Sequence, residues 1–168
     1  NFFMLYEMIK TECDSRILTV TLDRPESLNS FTVKMAEELV HVFNSASEDD
    51  DVGCIIVTGA GKAFCAGMDL SVGGNVFGLD ESLQPSLNEI RERYNDEDIL
   101  TGARDTGGRV SLAIFECKKP VIGAINGAAV GIGATMTLGM DIRMVSEKAR
   151  IGFVFGKRGL TMECLSST

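Results

Sequence analysis

Three observations predict an α/β fold. Apolar runs at residues 53–58 and 121–125 have the length and continuity of buried strands. Each run leads directly into a stretch of glycines and small side chains. Other segments carry apolar residues at helical intervals, interleaved with the strands. Such alternation, as opposed to grouping by type, belongs to α/β domains. With 168 residues the chain suits one domain with a sizeable core, and residues 1–168 read as a single unit.

The elements come in this order. Residues 6–12 and 16–22 read as two strands around the turn Cys13-Asp14-Ser15. In the second, Ile17, Thr19 and Thr21 alternate with Leu18, Val20 and Leu22, the period of a hairpin strand. Pro25 cannot donate to a ladder, so the strand stops before it. From Thr32 the period changes. Met35, Leu39, Val42, Phe43 and Ala46 fall at helical spacing, Thr32 suits an N-cap, and Glu37 and Glu38 are assigned to the wet face. Residues 47–51 form an acidic exit loop before the strand at 53–58.

Residues 71–104 differ. Gly73-Gly74, Gly78, Pro85 and Gly102 punctuate a polar stretch with one short helical pattern at 87–92, which predicts a functional or mobile loop. Helical spacing returns at 110–117, followed by the strand at 121–125 and a second small-residue turn at 126–133. A helix at 134–139 and short strands at 141–145 and 150–153 complete the pattern. No tandem repeat at a fixed sequence period is visible.

Composition removes several function classes. A net charge of −8 argues against a nucleic-acid partner, which requires a basic face, but leaves room for an anionic small molecule held by a local Lys or Arg pair. Five cysteines are scattered without a CxxC, and His41 is the single histidine, so no zinc spacing is recognisable. Reduced thiols in an intracellular compartment are the simpler reading. No apolar run is long enough for a membrane helix, so no membrane insertion is expected. The chain starts at Asn1 and stops at Thr168 without a terminal element, which reads as a fragment.

The two glycine turns are the candidate site. In open α/β sheets ligands lie beyond the carboxyl ends of strands, so both turns can face one crevice. The second turn opens a helix, whose first N–H groups lack intrahelical acceptors and suit an anion or a developing oxyanion. Tight packing alone is the other reading of these glycines. A phosphate loop is excluded. It would need Gly at 56 and Ser or Thr at 63, where Ile56 and Ala63 stand.

Four stretches in order carry a family resemblance. They are Leu22-Asp23-Arg24-Pro25-Glu26-Ser27-Leu28-Asn29-Ser30, the run Lys62 to Leu70, Lys119-Pro120-Val121-Ile122-Gly123-Ala124-Ile125-Asn126-Gly127, and Gly131-Ile132-Gly133 followed by Met140-Asp141-Ile142-Arg143. Together they resemble the crotonase (enoyl-CoA hydratase/isomerase) superfamily. The resemblance implies a spiral of repeated ββα units and an acyl-CoA thioester as ligand, with coenzyme A part of the substrate and no separate cofactor. It implies an oxyanion hole formed by the backbone N–H groups of Met68 and Ile132. Ala66, Gly67, Asp69 and Leu70 would line the CoA groove, helped by Ser27 and Leu28 from the first turn.

The resemblance also exposes departures. Family hydratases use two glutamates, and their positions are held here by Thr135 and Phe155. Thr135 can hold a water but cannot serve as a general base near neutral pH. Glu163 resembles the single glutamate of one branch of family isomerases, and a lone carboxylate suits a shift of a 3-enoyl to a 2-enoyl thioester. Packing beside Met162 and Leu165 would raise its pKa to a useful value. The plain alternative for Glu163 is a solvated surface carboxylate.

Three functions compete. The first is an enoyl-CoA isomerase or hydratase. The second is a non-catalytic acyl-CoA-binding relative. The third, a serine peptidase, lacks a GxSxG and a suitably placed histidine. Cys65 and Cys164 have no histidine near them in the motifs for thiol catalysis. The resemblance implies a missing C-terminal helical part, homotrimers or hexamers of the full-length parent, and a peroxisomal, mitochondrial or cytosolic setting. The long 71–105 loop points to a particular acyl chain, as in secondary metabolism.

Overall fold

The computed structural model describes residues 5–71, 73–93 and 96–159. The chain begins with a hairpin of β1 (Ile9–Asp14) and β2 (Ile17–Leu22). Its turn lies later than the sequence pattern placed it. Asp14 pairs with Ile17, and Ser15 and Arg16 both take positive φ, at 52° and 67°. That conformation matches the right-handed twist of the strands on either side.

Helix α1 (Val33–Glu48) starts where the pattern predicted, with the Thr32 hydroxyl accepting from the Met35 N–H at 3.1 Å. It buries Met35, Leu39, Val42, Phe43 and Ala46, each side chain contributing roughly 1.5–3 kcal/mol for a residue of Leu or Phe size. One expectation fails. Glu38 is 6% exposed, not on the wet face. Its carboxylate accepts the N–H groups of Glu7 and Met8 at 3.0 and 2.9 Å, and Lys34 lies 3.8 Å away. A buried carboxylate is tolerated when donors replace the lost water. Here those donors tie the segment before β1 to the helix.

The next elements are β3 (Cys54–Gly59) and β4 (Ala63–Cys65), then α2 (Leu87–Glu92), α3 (Glu97–Ala103) and α4 (Thr106–Phe115). They are followed by β5 (Val121–Ile125), β6 (Ala128–Val130), α5 (Ile132–Thr135), β7 (Ile142–Val145) and β8 (Ile151–Gly152). The predicted 134–139 helix therefore begins earlier. It divides into α5 and a 3-10 turn, Met136–Gly139. The 71–104 stretch holds two helices where one was read. In the first, Ser86 and Glu89 satisfy each other's backbone donors in a capping box.

Two sheets organise these elements. The larger has the order β1-β2-β3-β5-β7, antiparallel at the hairpin and parallel thereafter. The smaller has the order β4-β6-β8 and is parallel throughout. Each of β3, β5 and β7 thus hands the chain to a short strand of the second sheet. Helices return it to the first. This is a repeat in space, a mixed α/β spiral, although no repeat shows in the sequence. The core lies between the large sheet and the packed pair α1 and α4, and includes Leu18, Val20, Leu22, Ile55, Val57, Val110 and Ile114.

Candidate active site

The first turn takes its shape from the residues just after β4. The Ala66 N–H donates to the Leu28 carbonyl at 3.0 Å. The Phe31 N–H then donates to the Gly67 carbonyl, and the Asp69 N–H to the Phe31 carbonyl, both at 2.8 Å. These bonds form a parallel bridge between Phe31 and Met68. In an extended chain successive peptide groups face opposite ways. Gly67 and Asp69 face Phe31, so the Met68 N–H faces away from it. Among the described residues that N–H has no acceptor.

A charged network holds this turn. One carboxylate oxygen of Asp69 accepts from the Arg24 guanidinium at 3.0 Å and from the Ser30 hydroxyl at 3.1 Å. The other accepts the Ser71 N–H at 3.0 Å and the Ser71 hydroxyl at 2.6 Å. The Ser71 donors above all, with Arg24 and Ser30 behind them, hold the Asp69 carboxyl down at about 2 despite its partial burial. Arg24 also donates to the Ser30 carbonyl at 2.6 Å. Asn29, fully buried, donates to the carbonyls of Ala60 and Ala63 at 2.9 and 2.8 Å and accepts the Arg24 N–H at 2.8 Å. The segment before α1 and the segment around β4 are therefore tied together by side chains.

The second turn is built from backbone. Gly131 adopts φ 55° and ψ −123°, a conformation that side chains disfavour. Its N–H donates to the Gly152 carbonyl at 3.0 Å, and its carbonyl accepts from Ala134 and Thr135, both at 2.9 Å. Ile132 follows as the first residue of α5, and among the described residues its N–H has no acceptor. The helix is a single turn, so its dipole is small, and the N–H itself is the useful group. The two turns touch. A methyl group at Gly131 would lie 4.0 Å from the Gly67 Cα.

A cavity of about 340 Å³ opens between them. The first turn contributes Ala66, Gly67, Met68 and Leu70, and the second Val130, Gly131 and Ile132. Phe77 from the long loop, with Val154 and Phe155, closes the wall. Every one of these side chains is apolar. Described residues thus offer the cavity polar contact only through peptide groups.

The structure brings five sequence-predicted residues to this cavity: Met68, Ile132, Ala66, Gly67 and Leu70. The other described ones stand elsewhere. Asp69 alternates to the opposite side of its strand and bounds a separate hollow of about 230 Å³ with Phe31 and Lys34. The Ser27 hydroxyl donates to the Arg24 carbonyl at 3.2 Å, within its own turn. Leu28 has left-handed backbone and joins the site through its carbonyl bond to Ala66. Thr135 is fully buried, its hydroxyl donating to the Gly131 carbonyl at 3.3 Å. Glu163 and Cys164 lie outside the described residues. Cys65 is buried in β4, and burial pushes its thiol up to about 11, which keeps it protonated and unreactive. His41 is bonded to the Tyr6 hydroxyl at 2.8 Å.

Sequence reasoning gave no role to Arg24 or Asn29, although both stand in the motif at 22–30. It also missed Phe77 and Val154. The run of Gly73-Gly74 and Gly78 around Phe77 was the available signal for a shaped loop.

This geometry has relatives. The family model for enoyl-CoA hydratase/isomerase matches residues 12–167. The chain belongs to the enoyl-CoA hydratase/isomerase family. It is 40% identical over 151 residues to the enoyl-CoA hydratase ACTT3 of Alternaria alternata, covering 90% of this chain and 45% of that protein. It is 35% identical over 161 residues to the 1,2-epoxyphenylacetyl-CoA isomerase of Escherichia coli, covering 95% of this chain and 55% of that one. Among solved structures, Pseudomonas aeruginosa OdaA superposes with a TM-score of 0.71 at 32% identity, over 94% of this chain and 55% of that one. The chain thus spans about half the length of the curated relatives it matches. The spiral α/β architecture is the crotonase fold that the motifs implied.

Proposed function

We propose that the protein acts on acyl-CoA thioesters, with the thioester carbonyl held by the N–H groups of Met68 and Ile132. What supports the reading is that both N–H groups lack acceptors among the described residues, and that both residues line one apolar cavity. Removing a proton next to a thioester leaves an enolate, whose charge lies largely on the thioester oxygen. Two preorganised donors stabilise that oxygen without reorganising, and loss of one such donor typically costs about 3 kcal/mol of barrier. An apolar wall lowers the local dielectric, which strengthens both hydrogen bonds.

The chemistry favoured is isomerisation of a 3-enoyl-CoA to a 2-enoyl-CoA by Glu163. Its carboxylate takes a proton from C2, and the electron pair delocalises onto the thioester oxygen and C4. The carboxylic acid returns the proton at C4, the C2–C3 double bond forms, and the C3–C4 double bond is lost. Two-glutamate hydration fits less well, since Thr135 is turned into its own helix and Phe155 forms part of the wall. Coenzyme A enters as part of the substrate.

The test is a panel of 2-enoyl- and 3-enoyl-CoA thioesters assayed on the intact protein and on Glu163→Gln. Turnover of 3-enoyl substrates that falls about 100- to 10,000-fold in the variant, with binding retained, supports the isomerase. Unchanged turnover overturns the role of Glu163. Tight thioester binding without turnover in the parent would favour a non-catalytic acyl-CoA-binding protein instead.

A further inference from the structure

We infer that Phe77 sets which acyl chains the cavity admits, and that Thr106 holds it in place. The inference rests on the acyl-CoA reading above and adds the residue that selects the acyl group. Among the described residues of the 71–105 stretch, Phe77 is the one that reaches the cavity wall. It belongs to no helix or strand. A loop residue of this kind usually has freedom to swing aside, which would make it a poor selector.

The Phe77 backbone does not have that freedom. Its carbonyl oxygen accepts two hydrogen bonds from a single residue, the Thr106 N–H at 3.0 Å and the Thr106 hydroxyl at 3.2 Å. A carbonyl has two lone pairs, so both bonds are accommodated. Thr106 is 1% exposed and is the first residue of α4, where its N–H has no partner within the helix. The loop therefore satisfies the helix terminus, and the helix terminus fixes the loop.

The next residue tightens the seat. Gly78 has φ +67°, and a methyl group there would lie 2.6 Å from the Thr106 Cγ2 and 3.2 Å from the Val33 Cγ2. Only a bare backbone can press this closely onto the starts of α4 and α1. Phe77 thus presents a flat ring from an anchored backbone. Its dispersion contacts with hydrocarbon depend steeply on distance, so an anchored ring discriminates by shape. Thr106 is a positioning residue and does not itself line the cavity.

The experiment measures kcat/KM and Kd for short, long and branched 3-enoyl-CoA thioesters, with free coenzyme A as the reference ligand. Phe77→Ala is expected to shift preference toward long and branched chains about tenfold, with coenzyme A affinity unchanged. Thr106→Val keeps the N–H bond and loses the hydroxyl bond. It is expected to shift preference the same way by less, to be rescued by Thr106→Ser, and to add nothing in a Phe77→Ala background. A role in stability alone would lower Tm without moving chain preference, and that result overturns the inference. If Phe77→Ala does not fold, Phe77→Leu is read by the same criteria. A parent that binds no thioester overturns the acyl-CoA reading and the inference with it. A parent that binds thioesters while the variants keep its chain preference overturns the inference alone.

Discussion

The two turns that meet at the cavity are held by opposite means. The first is fastened by side chains: Asp69 collects donors from Arg24, Ser30 and Ser71, and Asn29 spans to Ala60 and Ala63. The second is fastened by main chain, through the left-handed Gly131 and its bonds to Gly152, Ala134 and Thr135. Each brings to the same space one N–H that has no acceptor among the described residues. The difference teaches that equivalent donors need not have equivalent weaknesses. A charge change should loosen one turn, and a side chain should break the other.

The largest effect is expected from the second turn. Gly131→Ala forces a side chain into φ 55° and ψ −123°, at roughly 1–3 kcal/mol of strain. The same change displaces the Ile132 N–H. Turnover of a 3-enoyl-CoA should fall about 100- to 1,000-fold, the loss typical of one missing oxyanion donor. A variant with near-normal kcat would show that the second turn does not depend on a rigid Gly131.

Asp69→Asn comes next. It weakens the charged hydrogen bonds of the first turn while leaving the backbone bridge to Phe31 in place. Stability should drop by about 2 kcal/mol in urea unfolding, with a smaller loss of turnover than for Gly131→Ala. Equal or greater loss of turnover would reverse the ranking of the two turns.

The smallest and most specific effect is in acid. The Asp69 carboxyl is held at about 2, below its ordinary value near 4. A depressed carboxyl stabilises the fold fully above its unfolded pKa, and that share is lost as pH falls through the folded pKa. Asp69 should therefore contribute fully above about pH 4 and lose its contribution progressively toward about pH 2. Comparing unfolding of the parent and Asp69→Asn across that window should show the stability gap closing. Gly131→Ala should leave this pH dependence intact. A gap that stays constant would mean that the network is not what holds the first turn.

Legibility in the sequence divides along similar lines. Segments with a strong period were legible: α1 from its helical stripe and Thr32 cap, and β2, β3 and β5 from their apolar runs. The short strands β4 and β6 were missed, because three residues have no period to detect, whereas β8 falls inside the strand read at 150–153. Helix α3 has a polar sequence and was lost in the loop. Glu38 was placed on the surface because a carboxylate usually belongs there, and only the fold supplies its two N–H donors. Within the site, the turns carrying Met68 and Ile132 were marked by glycines, and the resemblance singled out the two residues. Their donors are peptide groups, which leave no trace in residue identity. Phe77 and Val154 reach the wall from distant parts of the chain and no local pattern announces them, while Phe155 was singled out only by the resemblance.

The most direct measurement is the infrared carbonyl stretch of a saturated, unreactive acyl-CoA labelled with carbon-13 at the thioester. Bound to the intact protein, the stretch should move to lower frequency than in water, and Gly131→Ala should remove most of the shift. A stretch unchanged on binding would contradict the claim that the Met68 and Ile132 N–H groups hold the thioester oxygen.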